Sequence, residues 1–125
     1  MTDKDWEQFA PLYRYEFDSP DEEGSGNKMK PSFIQKLKEA RDLAAVPFII
    51  NSGYRSKAHN RKVGGVESSS HLEGWAADIA CTNSRHRAKI LNAAIQVGFN
   101  RIGIANSFIH LDIDPNKPRE VFWLY

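Results

Sequence analysis

The sequence predicts a small α+β domain, a mostly antiparallel sheet with flanking helices on one face. Three observations predict it. Two stretches with one apolar face at helical spacing, about 31–45 and 85–97, are interleaved with short apolar runs of strand length. Turn formers punctuate these runs at Ser52–Gly53, Gly64–Gly65, Gly98 and Asn106–Ser107. Finally, 125 residues that are 41% hydrophobic and 26% charged suffice for one modest core. That composition excludes disorder, collagen and a coiled coil.

The elements follow in order. Trp6, Phe9, Leu12, Tyr13 and Phe17 recur at mixed three- and four-residue spacing, which predicts a short amphipathic helix or cap over about 3–17. Asp18–Asn27 is polar and turn-rich, a surface loop. Pro31 suits the first position of a helix over about 31–45, with Phe33, Leu37, Ala40 and Ala44 on its inner face. Val46–Asn51 reads as a buried strand and 56–70 as a loop. Trp75–Ala80 is a second strand. Asn83 or Ser84 caps a helix of about 85–97 that presents Ala88, Leu91 and Ile95, and Gly98 stops it. Arg101–Ala105 and Phe108–Ile113 form a hairpin around Asn106–Ser107. The tail Val121–Tyr125 is apolar enough to pack as an edge strand or a core lid.

The charge pattern narrows the function classes. A net charge of +1 offers no basic field for nucleic acid. Within it, residues 1–23 hold eight acids against Lys4 and Arg14, a net −6, so the remaining residues carry +7. Residues 1–27 thus read as an acidic arm and loop on a basic body. One cysteine, Cys81, excludes a disulfide framework and a CxxC metal knuckle within the chain. No run reaches the ~18 apolar residues of a membrane span, and the first residues have no apolar stretch of the secretory kind.

Three side chains stand out as metal ligands: His71, Asp78 and His110. Gly74 allows a sharp turn between the first two, and the small Ala76–Ala77 permit close packing, so both side chains can return to one point. His110 sits inside a predicted strand, where a buried ring needs a partner. Two imidazoles and a carboxylate are a three-ligand set with a fourth position open, the catalytic rather than the structural pattern. Plainer readings stand beside this one. A strand histidine is often satisfied by a hydrogen bond alone, and Asp78 can cap a turn or pair with an arginine. Cys81 reads as a small buried residue, His86 as exposed, and His59 with Asn60 as structural.

Four motifs point further: SGYRS at 52–56, HNxxVGGV at 59–66, SxHxxGxAxDI at 69–79 and FIHxD at 108–112. Together they resemble the zinc D-Ala-D-Ala carboxypeptidase family, which also contains L-Ala-D-Glu endopeptidases, and within it the short phage-type branch. The resemblance runs from about Asp18 to Asp114. It implies the small α+β zinc fold shared with the Hedgehog signalling domain. It also implies a Zn²⁺ cofactor held by His71, Asp78 and His110, and hydrolysis of peptide bonds in peptidoglycan stem peptides. Arg55 is implied at the substrate carbonyl or carboxylate, where a fixed cation suits a developing negative charge. Ser69 matches a substrate-binding serine; its plainer role is a loop-stabilising turn.

The match departs at the general base. Several members place an acid three residues before the last zinc histidine, and here that position is Ser107. Asp112 shares a strand face with His110, so it is either the base or the residue that orients His110. Glu73 and Asp114 are weaker candidates. The departure keeps open a non-catalytic zinc-containing binding module, or a virion-associated structural protein, of the same fold. The length leaves room for one catalytic domain over 1–125, and a small single-chain hydrolase is expected to be a monomer. Such a protein is expected to be made in the cytoplasm and released to the periplasm or cell wall by another protein, with the +7 body facing an anionic wall.

Overall fold

Along a strand, alternate side chains point to opposite faces. In the computed structural model, which describes residues 1–125, that alternation separates core from site. The central strands are β2 (Ala76–Ala80) and β4 (Phe108–Asp112). They pair antiparallel, with Ala77 opposite Leu111, Asp78 opposite His110 and Ile79 opposite Ile109. Ala77, Ile79, Ile109 and Leu111 therefore share one face and Asp78, His110 and Asp112 the other. The apolar face is buried under α1 (Pro31–Ala44) and α3 (Ser84–Gln96), which bring Phe33, Ile34, Leu37, Ala40, Ile90, Ala93 and Ala94 to a single core cluster.

The remaining strands are β1 (Ile50–Ser52), β3 (Arg101–Ile104) and β5 (Val121–Leu124), and the sheet order is β1-β2-β4-β3-β5. The sheet is mixed rather than mostly antiparallel, because β5 runs parallel to β3. The cause is a short link. β4 ends level with the start of β3, and residues 113–120 deliver the chain to that same end. The tail is thus an edge strand, with Phe122 and Leu124 exposed.

Local chemistry explains most boundaries. Pro31 occupies the first turn of α1, and the helix ends at Ala45, whose φ of 56° is left-handed. The Asn83 side chain accepts hydrogen bonds from the Arg85 and His86 amides and so starts α3. The inner face of α3 is one step away from the expected one: Ile90, Ala93 and Ala94 are buried, while Ala88 and Ile95 are exposed. β1 begins later than expected, after Pro47, with Val46 and Phe48 buried ahead of it. The expected loop at 56–70 contains a short helix, α2 (Lys57–Lys62), capped by the Ser56 hydroxyl, which accepts from the His59 amide.

The acidic N-terminal segment is built into the core. It forms 3₁₀ turns at Asp3–Phe9, Arg14–Phe17 and Ser25–Lys28 rather than one helix. Trp6, Phe9, Leu12 and Phe17 are buried, and Trp6 stacks on Phe17 at 5.3 Å. Part of its charge is paired locally: Arg14 pairs with Asp3 and Asp18, and Lys28 with Glu22. No helix is long and apolar enough to cross a membrane.

Candidate metal centre

Strand register assembles the site. One row of cross-strand neighbours runs over the whole sheet: Ser52, Asp78, His110, Gly103 and Trp123. Gly103 matters for its missing side chain. A Cβ there would lie 2.7 Å from the Trp123 indole, so glycine lets the ring lean across β3 and rest 5.4 Å from the His110 ring. His71 comes from outside the sheet, on a 3₁₀ turn at Ser70–Glu73.

These residues converge tightly. His71, Asp78 and His110 are all buried, and each offers a ligand atom within 4.8 Å of the others. Asp78 Oδ1 is 3.3 Å from His71 Nε2 and 2.9 Å from His110 Nδ1. His71 Nδ1 lies 2.7 Å from the Gly53 carbonyl, which only accepts, so Nδ1 carries a hydrogen. His110 sits between two carboxylates, with Nε2 2.7 Å from Asp112 Oδ2 and Nδ1 2.9 Å from Asp78 Oδ1. His71 Nε2 and His110 Nδ1 therefore both face Asp78, and each donates to it when its ring is protonated. With those protons removed, two ring nitrogens and a carboxylate oxygen meet at one point, where a cation can replace the protons. Mixed imidazole and carboxylate donors fit a divalent transition ion.

The electrostatics agree. Burial acts to raise the Asp78 carboxyl, yet hydrogen bonds from His110 and His71 outweigh it and hold the group well below the usual carboxylate range. Burial pushes the His71 ring down despite its contact with Asp78. Burial also works to lower His110, but its bonds to Asp112 and Asp78 prevail and raise it. Asp112 is pulled down by His110 and Arg101 against its own burial.

Around the cluster, the expected residues take specific places. Arg55 spends all three nitrogens: Nε donates to Ser52 Oγ at 3.0 Å, Nη1 to Asn60 Oδ1 at 3.2 Å and Nη2 to Asp78 Oδ2 at 3.2 Å. Ser69 is buried, and its Oγ accepts from the His71 amide at 3.3 Å, the loop-stabilising geometry. Asp112 is 1% exposed, and Oδ1 accepts from Arg101 Nε at 2.7 Å and from the Asp114 amide at 3.1 Å. Both of its oxygens are therefore committed, on the side of His110 away from Asp78. Asp114 is tied to Ser70 at 2.7 Å, and Glu73 lies outside the cleft. Ser107 is exposed in the β3–β4 turn.

Arg101 and Tyr125 were not singled out by sequence as site residues, and Asn60 was read only as structural. Arg101 anchors Asp112 and sits 5.2 Å from the Trp123 ring. Asn60 holds Arg55 and ties down the 63–66 loop by donating to the Val66 carbonyl. Tyr125 lines the cleft with Trp123. Of these only Asn60 left a signal, its place in the HNxxVGGV motif. The cleft lined by Arg55, His71, Asp78, His110, Trp123 and Tyr125 has a volume of ≈ 400 Å³.

A mixed-sheet α+β fold here carries a His–Asp–His cluster, able to hold a metal ion, in the lining of a cleft. Comparison with protein families makes this specific. Residues 14–112 match the family Peptidase M15, and the chain belongs to that family of metallopeptidases. The motifs of the sequence had implied the same family. A search of curated proteins returned no match.

Proposed function

We propose that the protein is a zinc peptidase that hydrolyses peptide bonds in peptidoglycan stem peptides, acting as a D-Ala-D-Ala carboxypeptidase or an endopeptidase. The observation that carries this reading is the convergence of His71 Nε2, Asp78 Oδ1 and His110 Nδ1, three atoms able to ligate one ion, in an open cleft. Membership of Peptidase M15 supports the reaction class and the choice of zinc.

When bound, zinc supplies Lewis acidity that polarises a carbonyl and makes water a better nucleophile near neutral pH. The chain's own residues do the rest. His71, Asp78 and His110 would hold the ion, and their outer hydrogen bonds to Gly53, Arg55 and Asp112 orient each ligand side chain. Arg55, clamped at Ser52 and Asn60, places a fixed positive charge beside the cluster, where negative charge develops on the scissile carbonyl oxygen. Trp123 and Tyr125 form an aromatic wall on which the peptide lies, excluding water. Asp112 is a positioning residue in this mechanism, because both its oxygens are spent on His110, Arg101 and the Asp114 amide.

That commitment of Asp112, together with Ser107 in place of an acid, supports a second reading: a zinc-holding binding module without turnover. Incubating the zinc-loaded protein with purified sacculi and synthetic stem peptides, read by mass spectrometry, separates the two. Release of D-Ala or of cut stem peptides is expected, and intact substrates would leave only the binding reading. Metal analysis should find about one zinc per chain in the wild type, and His71→Ala should lose it. Full zinc in that variant would overturn the ligand assignment.

A further inference from the structure

The cleft continues past the metal-site residues. A second cavity of ≈ 680 Å³ lies beside the first, and Gly65 lines both. Asn60, on the wall of the second cavity, holds the Arg55 guanidinium that lies in the first. The charged walls of the second cavity are Lys57 and Arg61 from α2, with Glu67 as the one acid, so its net charge is positive.

Lys57 and Arg61 stand four residues apart and project from one face of α2. Both are exposed, and neither has a carboxylate within 4.0 Å; the ion pairs of the protein use other residues. From Arg55 to Val66 the chain holds four cations, Arg55, Lys57, Arg61 and Lys62, and no acid. Two like charges one turn apart disfavour a helix, and α2 spans only six residues. The helix is held instead by its Ser56 cap and by Asn60. The two unpaired cations therefore contribute nothing visible to the fold, and they line the cavity that shares Gly65 with the cleft.

We propose that this groove is a subsite for a carboxylate-bearing residue of the peptide substrate, gripped by Lys57 and Arg61 while a neighbouring peptide bond lies over His71, Asp78 and His110. The inference rests on the peptidase reading above and names the charge of the substrate that the site selects. An acidic peptide is drawn to the groove; its amidated form is not. Because both cations are solvent-exposed, the discrimination is moderate.

The test compares two probes that differ by one carboxylate, L-Ala-γ-D-Glu-L-Lys-D-Ala-D-Ala and its D-isoglutamine form. For the zinc-loaded wild type, kcat/KM should favour the acidic peptide by about tenfold. In Lys57→Gln/Arg61→Gln, which keeps helix-forming side chains on the surface, the ratio should fall to about one. Equal cleavage of both peptides by the wild type, or an unchanged ratio in the double variant, would overturn the subsite. If the wild type cleaves neither peptide, the peptidase reading fails, and titration calorimetry with the same two peptides decides the groove separately. Tighter binding of the acidic peptide that is lost in the double variant supports it; equal binding, or none, overturns it.

Discussion

Asp78 shows how one side chain can organise a site. Its Oδ1 faces both histidine rings and its Oδ2 receives Arg55, so the ligand set and the neighbouring cation are built on the same carboxylate. Arg55→Lys keeps the charge but cannot reach Ser52, Asn60 and Asp78 at once. Its kcat on a small peptide should fall by about 10²–10³-fold. Asp112→Asn tests the positioning role. Zinc affinity by competitive chelation should weaken by about 10–100-fold, whereas a pure base would leave affinity intact and cut turnover alone. The cluster residues were legible because their motifs carry them as a set. Arg101 was not: its partner lies eleven residues on, and only the β3–β4 register brings the two together.

Elements differ in how much of them a sequence displays. α1 showed its inner face except for Ile34, because four turns give the apolar period room to repeat. α3 was expected to turn Ala88, Leu91 and Ile95 inward, and packing instead buries Ile90, Ala93 and Ala94. α2 is under two turns long, too short for any period, and its only sign was the Ser56 cap. Two predictions belong here. Asn83→Ala removes the acceptor for two amides at the start of α3. It should cost about 1 kcal/mol, lowering Tm by about 2–8 °C in a calorimetric scan. Gly103→Ala forces the Trp123 indole away from its 2.7 Å approach. The overpacking should cost about 1–3 kcal/mol by urea denaturation, with a change in tryptophan fluorescence as β5 shifts.

For the whole molecule, the sequence displayed the layers but not the direction of the last strand, which depends on where β4 leaves the chain. It also displayed the charge asymmetry without its use: Asp3 and Asp18 pair with Arg14 and Glu22 with Lys28, while the other five acids of the first segment form no ion pair. The buried charges of the site make a prediction about acid stability in the metal-free protein. Asp78 and Asp112 have depressed pKa values in the fold. They bind protons more readily when unfolded, so their contribution is present above the ordinary value of about 4 and is lost as pH falls below it. His71, also depressed, adds a loss that begins as pH falls below about 6.5. His110, raised, acts in the opposite sense, stabilising below about 6.5 and fading as pH rises. Urea midpoints should therefore drop steeply below about pH 4, and Asp112→Asn should flatten that drop.

The N-terminal segment has a practical consequence for where this protein can be cut. Phe17 packs on Gly53 and its carbonyl accepts from the Tyr54 amide, while the Gly53 carbonyl sets the tautomer of His71. Beneath Phe17 lie Trp6, Phe9 and Leu12, all ahead of residue 14, where the family match begins. At the other end the match stops at Asp112, before the strand that lays Trp123 against His110. A fragment trimmed to the recognisable stretch would thus lose the floor under one histidine and the cover over the other. For fusion, swapping or crystallisation, the cooperative unit is wider than the signature that identifies it.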